Sequence, residues 1–200
     1  MTDLEATEER EWIESLRTGD ESGFRVLVEY YQDRVYAMAC RFCGCGHEAK
    51  DLAQDIFIRI YEHISGFQGR SSLDTWIYRI ALNQCLSWRR ARKRRAVLGR
   101  DGPVDGTAGQ PLPEEQIAAA EETRHLHATL RSLPERYMSV IELYYFQELS
   151  YQQIADLTGA PVRTVETRLY RARQRLKELL DNKEAGREET HGRVENAAAR

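Results

Sequence analysis

The chain has 200 residues, 42% of them hydrophobic and 30% charged, with a net charge of −3. Those values belong to soluble globular proteins, and the length allows one medium domain or two small ones. No apolar run approaches the ~20 residues that cross a bilayer, and the acidic opening (Asp3, Glu5, Glu8, Glu9, Glu11, Glu14) is unlike the basic start of a signal peptide. A cytoplasmic protein without membrane insertion is expected.

Apolar residues recur at three- and four-residue steps, and no sustained period-two alternation occurs, which predicts an all-α fold. Phe24, Leu27, Val28, Tyr31, Val35 and Met38 mark a first helix. After it come Cys40, Cys43, Cys45 and His47, whose thiolates and imidazole have the chemistry of zinc ligands. The one-residue gap between Cys43 and Cys45 strains tetrahedral chelation, so reduced thiols at a helix end are expected. No metal and no cofactor are assigned.

A second helix follows from Leu52, Ile56, Phe57, Ile60 and Ile64, and Asp51, Gln54, Asp55, Ile58 and Glu62 fall on its opposite face. Leu73, Ile77, Ile80, Ala81 and Trp88 mark a third, with Trp76 and Trp88 expected to pack in the core. Asn83 is the polar residue that stands out there, because a buried amide would need partners. Residues 87–100 then hold seven basic residues and no acid, a composition suited to phosphates.

Three of the five prolines and four glycines fall between residues 99 and 113, the signature of a flexible linker. The expected division is a domain over 1–97, a linker over 98–120, a second domain over 121–181 and a disordered polar tail over 182–200.

In the second domain, Ser132 with Glu135 and Ser150 with Gln153 both fit the spacing of a capping box, which would fix two helix starts. Ala155 supplies a small residue at a helix crossing, Gly159 a turn, and Pro161 the opening of the next helix. There Val162, Val165, Leu169, Ala172 and Leu176 form an inward stripe, while Arg163, Thr164, Glu166, Thr167, Arg168 and Arg171 project elsewhere. This is a helix-turn-helix whose second helix carries polar and guanidinium groups near its N-terminal end, as major-groove reading requires. Arg173, Arg175 and Lys177 lie further along, where phosphates are met.

The stretches Leu-Pro-Glu-Arg-Tyr (133–137), Glu-Leu-Ser-Tyr-Gln-Gln-Ile-Ala (148–155) and Val-Glu-Thr-Arg-Leu-Tyr-Arg-Ala-Arg (165–173) resemble the fourth conserved region of extracytoplasmic-function sigma factors, group IV of the sigma-70 family. There the helix-turn-helix reads the minus-35 promoter element. Asp51-Leu-Ala-Gln-Asp-Ile-Phe-Ile-Arg-Ile-Tyr (51–61) resembles the second region of the same family, whose acidic helix docks on clamp helices of the largest polymerase subunit. The loop 66–72 and the helix 73–83 resemble its minus-ten segment. That resemblance implies Phe67 and Gln68 in a base-receiving loop, Arg79 and Asn83 at a base edge, and Arg89, Arg90 and Arg92 on the strand backbone.

The implied function is to bind core RNA polymerase and direct it to promoter DNA. The resemblance also implies an anti-sigma partner. No nucleophile with its base, phosphate loop or paired-carboxylate motif occurs, so the protein is read as a non-enzyme that recruits a catalyst. Two alternatives remain at this point: an ordinary helix-turn-helix regulator with an N-terminal interaction or sensing domain, and a helical interaction module without DNA contact.

Overall fold

The structure, a computed structural model, describes the backbone of residues 12–44, 46–99 and 114–198, and the side chains of 12–44, 46–99 and 123–181. Every regular element among them is helical, and the chain divides into two compact units, Met1–Ala108 and Gly109–Arg200. The expected linker lies largely outside the described residues.

In the first unit a short helix α1 (residues 12–17) leads into α2, Glu21–Cys43. Asp20 caps α2 by accepting from the Ser22 amide at 3.1 Å and from the Ser22 hydroxyl at 2.6 Å, bonds that hold its carboxyl below its ordinary value. Gly44, at φ 96, ends the helix in a conformation that disfavours a side chain. Helix α3 follows over His47–His63, then a single 3₁₀ turn Ile64–Gly66, then α4 over Leu73–Val97 with Ser72 capping through the Thr75 amide.

The three long helices bury one core. Leu27, Val35, Met38 and Phe42 of α2 meet Leu52, Ile56 and Ile60 of α3 and Ile77, Ala81 and Cys85 of α4, each at most 3% exposed. This is the predicted periodicity made physical: a stripe at steps of three and four turns every apolar group toward the neighbouring helices. Across the α2–α4 seam, Tyr31 donates to Asp74 and Arg34 donates to the Tyr78 hydroxyl at 3.3 Å. Trp76 and Trp88 are both half-buried rather than enclosed.

In the second unit α5 spans Glu114–Ser132 and α6 spans Glu135–Ile141, and α6 widens into a π-helical segment, Glu142–Phe146. The predicted capping box at Ser132 does not form. Ser132 closes α5 by donating to the Thr129 carbonyl at 2.7 Å, and Pro134 opens α6 with no side-chain cap. The other box does form: Ser150 and Gln153 satisfy each other's amides at the start of α7, Tyr151–Thr158. Gly159 then takes the left-handed conformation, φ 68, that makes the turn.

Helix α8 spans Val162–Ala198. Val165, Leu169 and Ala172 are fully buried against the rest of the unit, and Val162 and Leu176 flank them half-buried. Its helical backbone runs through the polar residues 182–198, where the sequence predicts a disordered tail.

Candidate nucleic-acid interface

The α7–Gly159–α8 arrangement presents the N-terminal half of α8 to solvent. Beside it lies an open concavity of about 650 Å³, lined by Arg163, Thr164, Thr167, Arg168 and Arg171 of α8, by Pro161, and by Arg136 and Tyr137 of α6. Five of the six residues predicted for minus-35 reading therefore share one surface. Glu166, the sixth, is exposed outside that lining. The Thr167 hydroxyl donates to the Arg163 carbonyl at 2.8 Å. No carboxylate stands among the lining residues, so four guanidinium groups set a positive potential there.

Arg136 and Tyr137 are the residues the sequence reading missed. They lie within the Leu-Pro-Glu-Arg-Tyr stretch, but nothing local says that α6 would carry them to the face of α8. A second concavity on this unit, about 530 Å³, is lined mainly by apolar groups, including Leu126, Leu130, Ile141, Phe146, Leu176 and Leu180.

In the first unit, all five predicted residues of α3, Asp51, Gln54, Asp55, Ile58 and Glu62, are exposed. Ile58 is 48% exposed, and Tyr61, not anticipated, adds a half-open aromatic at 50% beside it, its ring edge-on to Phe24. The carboxylates are partly engaged within the helix, Asp51 with His47 at 3.3 Å and Glu62 with Arg59 at 3.1 Å. The face thus combines negative charge with an apolar centre.

The predicted minus-ten group divides. Gln68 and Asn83 are exposed, and Arg79 is half-buried one turn before Asn83 on α4. Asn83 is therefore an open amide rather than a buried one in search of partners. Phe67 is not available to a base: it is 3% exposed and packs on Trp76 with ring centroids 5.4 Å apart. Its loop is short enough that the aromatic folds back into the core, where it stabilises by burial.

Among the arginines, Arg89 is only 8% exposed and so does not present its side chain to a strand. Arg92 places its Nη1 2.6 Å from both oxygens of Glu48 and lies 5.2 Å over the Trp88 ring. Its charge is committed to holding α4 against α3. Arg90, Lys93, Arg94 and Arg95 carry the exposed positive surface instead.

Cys40 and Cys43 are buried at the end of α2, and the Cys43 thiol donates to the Ala39 carbonyl at 3.0 Å. Cys45 lies outside the described residues, and among the described residues no cluster of three metal-ligating side chains occurs. Among them, too, no helix is long and apolar enough to cross a membrane.

Fold and site together define a two-unit helical protein with a helix-turn-helix and a cation-lined face beside it. Residues 27–95 match the family described as Sigma-70 region 2, and residues 123–176 match Sigma-70, region 4. The chain is 35% identical over 178 residues to the ECF RNA polymerase sigma factor SigW of Bacillus subtilis, covering 84% of this chain and 94% of that protein. The fold resembles that of CnrH, solved in complex with the cytosolic domain of CnrY, with a TM-score of 0.67 and 24% identity over 87% of this chain and 97% of that one. It also resembles the sigma factor RpoE of Bartonella quintana, solved with the anti-sigma factor NepR, with a TM-score of 0.64 and 24% identity over 79% of this chain and 96% of that one. The chain belongs to the extracytoplasmic-function RNA polymerase sigma factors of the sigma-70 family.

Proposed function

We propose that this sigma factor divides its work between its two units. The exposed face of α3 (Asp51, Gln54, Asp55, Ile58, Glu62) docks on core RNA polymerase. Residues Gln68, Arg79 and Asn83, with the exposed cations at the end of α4, engage the opened minus-ten strand, and the basic concavity beside α8 takes the minus-35 duplex. The observation that carries this reading is the convergence of Arg163, Thr164, Thr167, Arg168 and Arg171 on one acid-free surface beside a helix-turn-helix.

Acidic groups around an exposed aliphatic and Tyr61 suit a basic helical partner with an apolar ridge, since charge steers the approach and the apolar centre supplies contact area. The chain itself then performs no chemistry; it lends promoter choice to a polymerase that does. Acting on polymerase and promoter DNA, the chain works in the cytoplasm under this reading. An anti-sigma factor, such as the one bound to the Bartonella protein, is a further partner under this reading.

The reading as an ordinary helix-turn-helix regulator is not favoured, because that class has no use for a Sigma-70 region 2 unit. Reconstitution tests the proposal. The chain with purified core polymerase should give a discrete promoter transcript that neither component gives alone, and Asp51→Lys with Asp55→Lys should abolish co-purification with the core. A chain that binds promoter duplex specifically without polymerase, and never associates with the core, would contradict it.

A further inference from the structure

Between Phe67 and Ser72 the chain runs through Gln68, Gly69, Arg70 and Ser71. Among the described residues, none of these takes part in a hydrogen bond, so the path of the loop is set by whatever holds its two ends. Both ends rest on the first turn of α4. Phe67 packs on Trp76 with ring centroids 5.4 Å apart, and Ser72 accepts from the Thr75 amide at 3.2 Å with the two hydroxyls 2.9 Å apart.

The first turn of a helix has amides without intrahelical partners and is among the parts that open most readily. Here it is tied sideways to α2. The Asp74 carboxylate accepts from the Tyr31 phenol, and one turn further on the Arg34 guanidinium donates to the Tyr78 hydroxyl at 3.3 Å. Tyr31 and Tyr78 are each 3% exposed and meet edge to face with ring centroids 6.2 Å apart. The anchor on α2 is therefore buried and packed, while Asp74 itself is only half-buried.

Asp74 is not placed to touch a strand held by Asn83. Nine residues separate them, about two and a half helical turns, so they stand on opposite sides of α4. What Asp74 does control is the spacing between Gln68, which hangs from the first turn, and Asn83, which rides on the middle of the helix. If that turn frays, the loop loses both supports and Gln68 drifts relative to Asn83.

We infer that Asp74, held by Tyr31, is a positioning residue for strand opening, its hydrogen bond to α2 fixing the loop that brings Gln68 to the separated minus-ten strand. The inference rests on the strand-engaging role proposed above for Gln68 and Asn83.

The test uses the full chain with core polymerase and a promoter selected from a randomised library by the parent protein, at a temperature where every variant is folded. Asp74→Ala should lower permanganate reactivity of melted thymines several-fold while co-purification with the core and retention of promoter duplex stay at the parent's level. Tyr31→Phe, which deletes the donor and keeps the ring, should give a similar loss, and Asp74→Asn, which keeps an acceptor oxygen, should restore most of the reactivity. Because Asp74 acts through the loop, adding Asp74→Ala to Gln68→Ala should lower reactivity little beyond Gln68→Ala alone. Cys85→Ala, which removes a buried thiol three turns along α4, controls for lost stability and should open promoters as the parent does.

Parental opening in Asp74→Ala, with opening impaired in Gln68→Ala, would overturn the positioning role and leave the minus-ten reading standing. A loss in Asp74→Ala that adds in full to that of Gln68→Ala, or that Cys85→Ala reproduces, would also overturn it, since both outcomes mean general destabilisation. Should the joint replacement of Gln68 and Asn83 by Ala leave opening unchanged, the minus-ten reading itself falls and this inference with it.

Discussion

Tyr31 donates to Asp74 at 2.5 Å, joining the middle of α2 to the first turn of α4 across 43 positions of sequence. The bond fixes the start of α4, and with it the loop that carries Gln68. Burial, followed by the bond to Asp74, raises the Tyr31 phenol far above its ordinary value, so the folded state favours its neutral form. For a group raised on folding, the stabilisation is whole below the unfolded value near 10 and is lost as pH rises beyond it. Tyr31→Phe should therefore cost on the order of 1–3 kcal/mol at pH 8 by leaving Asp74 without its donor. Urea unfolding at pH 8 and at pH 11 should show a smaller alkaline loss in the variant, with Tyr78, raised by burial as well, retaining part of it. An alkaline loss equal to the parent's would contradict the assignment.

Arg92 and Glu48 test the correction made on α4. Their side chains are 20% and 45% exposed, so the pair is worth only about 0.5 kcal/mol despite its short contacts. A double-mutant cycle of Arg92→Ala and Glu48→Ala should return that coupling at low salt and lose most of it near 1 M, where the screening length falls to about 3 Å. In single-strand binding by the polymerase complex, Arg94→Ala should cost more than Arg92→Ala, because the Arg94 charge is exposed. The reverse order would return Arg92 to the strand-holding group.

Leu169 is fully buried in the second unit. Leu169→Ala should cost about 2–5 kcal/mol there through lost contacts and the cavity left behind. With two compact units, that loss should stay local. Amide hydrogen exchange should quicken through α6, α7 and α8 while α2, α3 and α4 keep the parent's protection. Equal acceleration in both sets would mean that the units do not fold independently.

What could be read from the sequence was local or periodic. Leu52, Ile56 and Ile60 announce a buried stripe by spacing alone, and all three are at most 3% exposed. Ser150 and Gln153 form their capping box because both partners lie within one turn. Ser132 and Glu135 share that spacing, but Pro134 starts the next helix between them and Ser132 turns back to Thr129. The site was legible where one helix carries it, as on the outer face of α3 and the N-terminal half of α8. It was not legible where a distant partner decides: Phe67 is claimed by Trp76, Arg92 by Glu48, and Arg136 and Tyr137 reach the concavity only through the packing of α6. Burial of Arg89 within a basic run leaves no mark in composition.

The central claim is that the first unit opens the promoter while the second holds it, and strand opening measures that division most directly. Gln68 and Asn83 are exposed and outside the core, so replacing both with Ala should leave folding and association with core polymerase intact. Phe67 is unsuitable for this purpose, since its replacement would disturb packing against Trp76. Holding a base out of the duplex must return the few kcal/mol that unstacking costs, and hydrogen bonds from open amides are one source of that return. Permanganate reactivity of melted thymines, measured on a promoter selected by the parent, should fall sharply in the double variant while duplex retention through α8 persists. Parental permanganate reactivity in that variant, with promoter binding still lost in Arg168→Ala, would contradict the role given to the first unit.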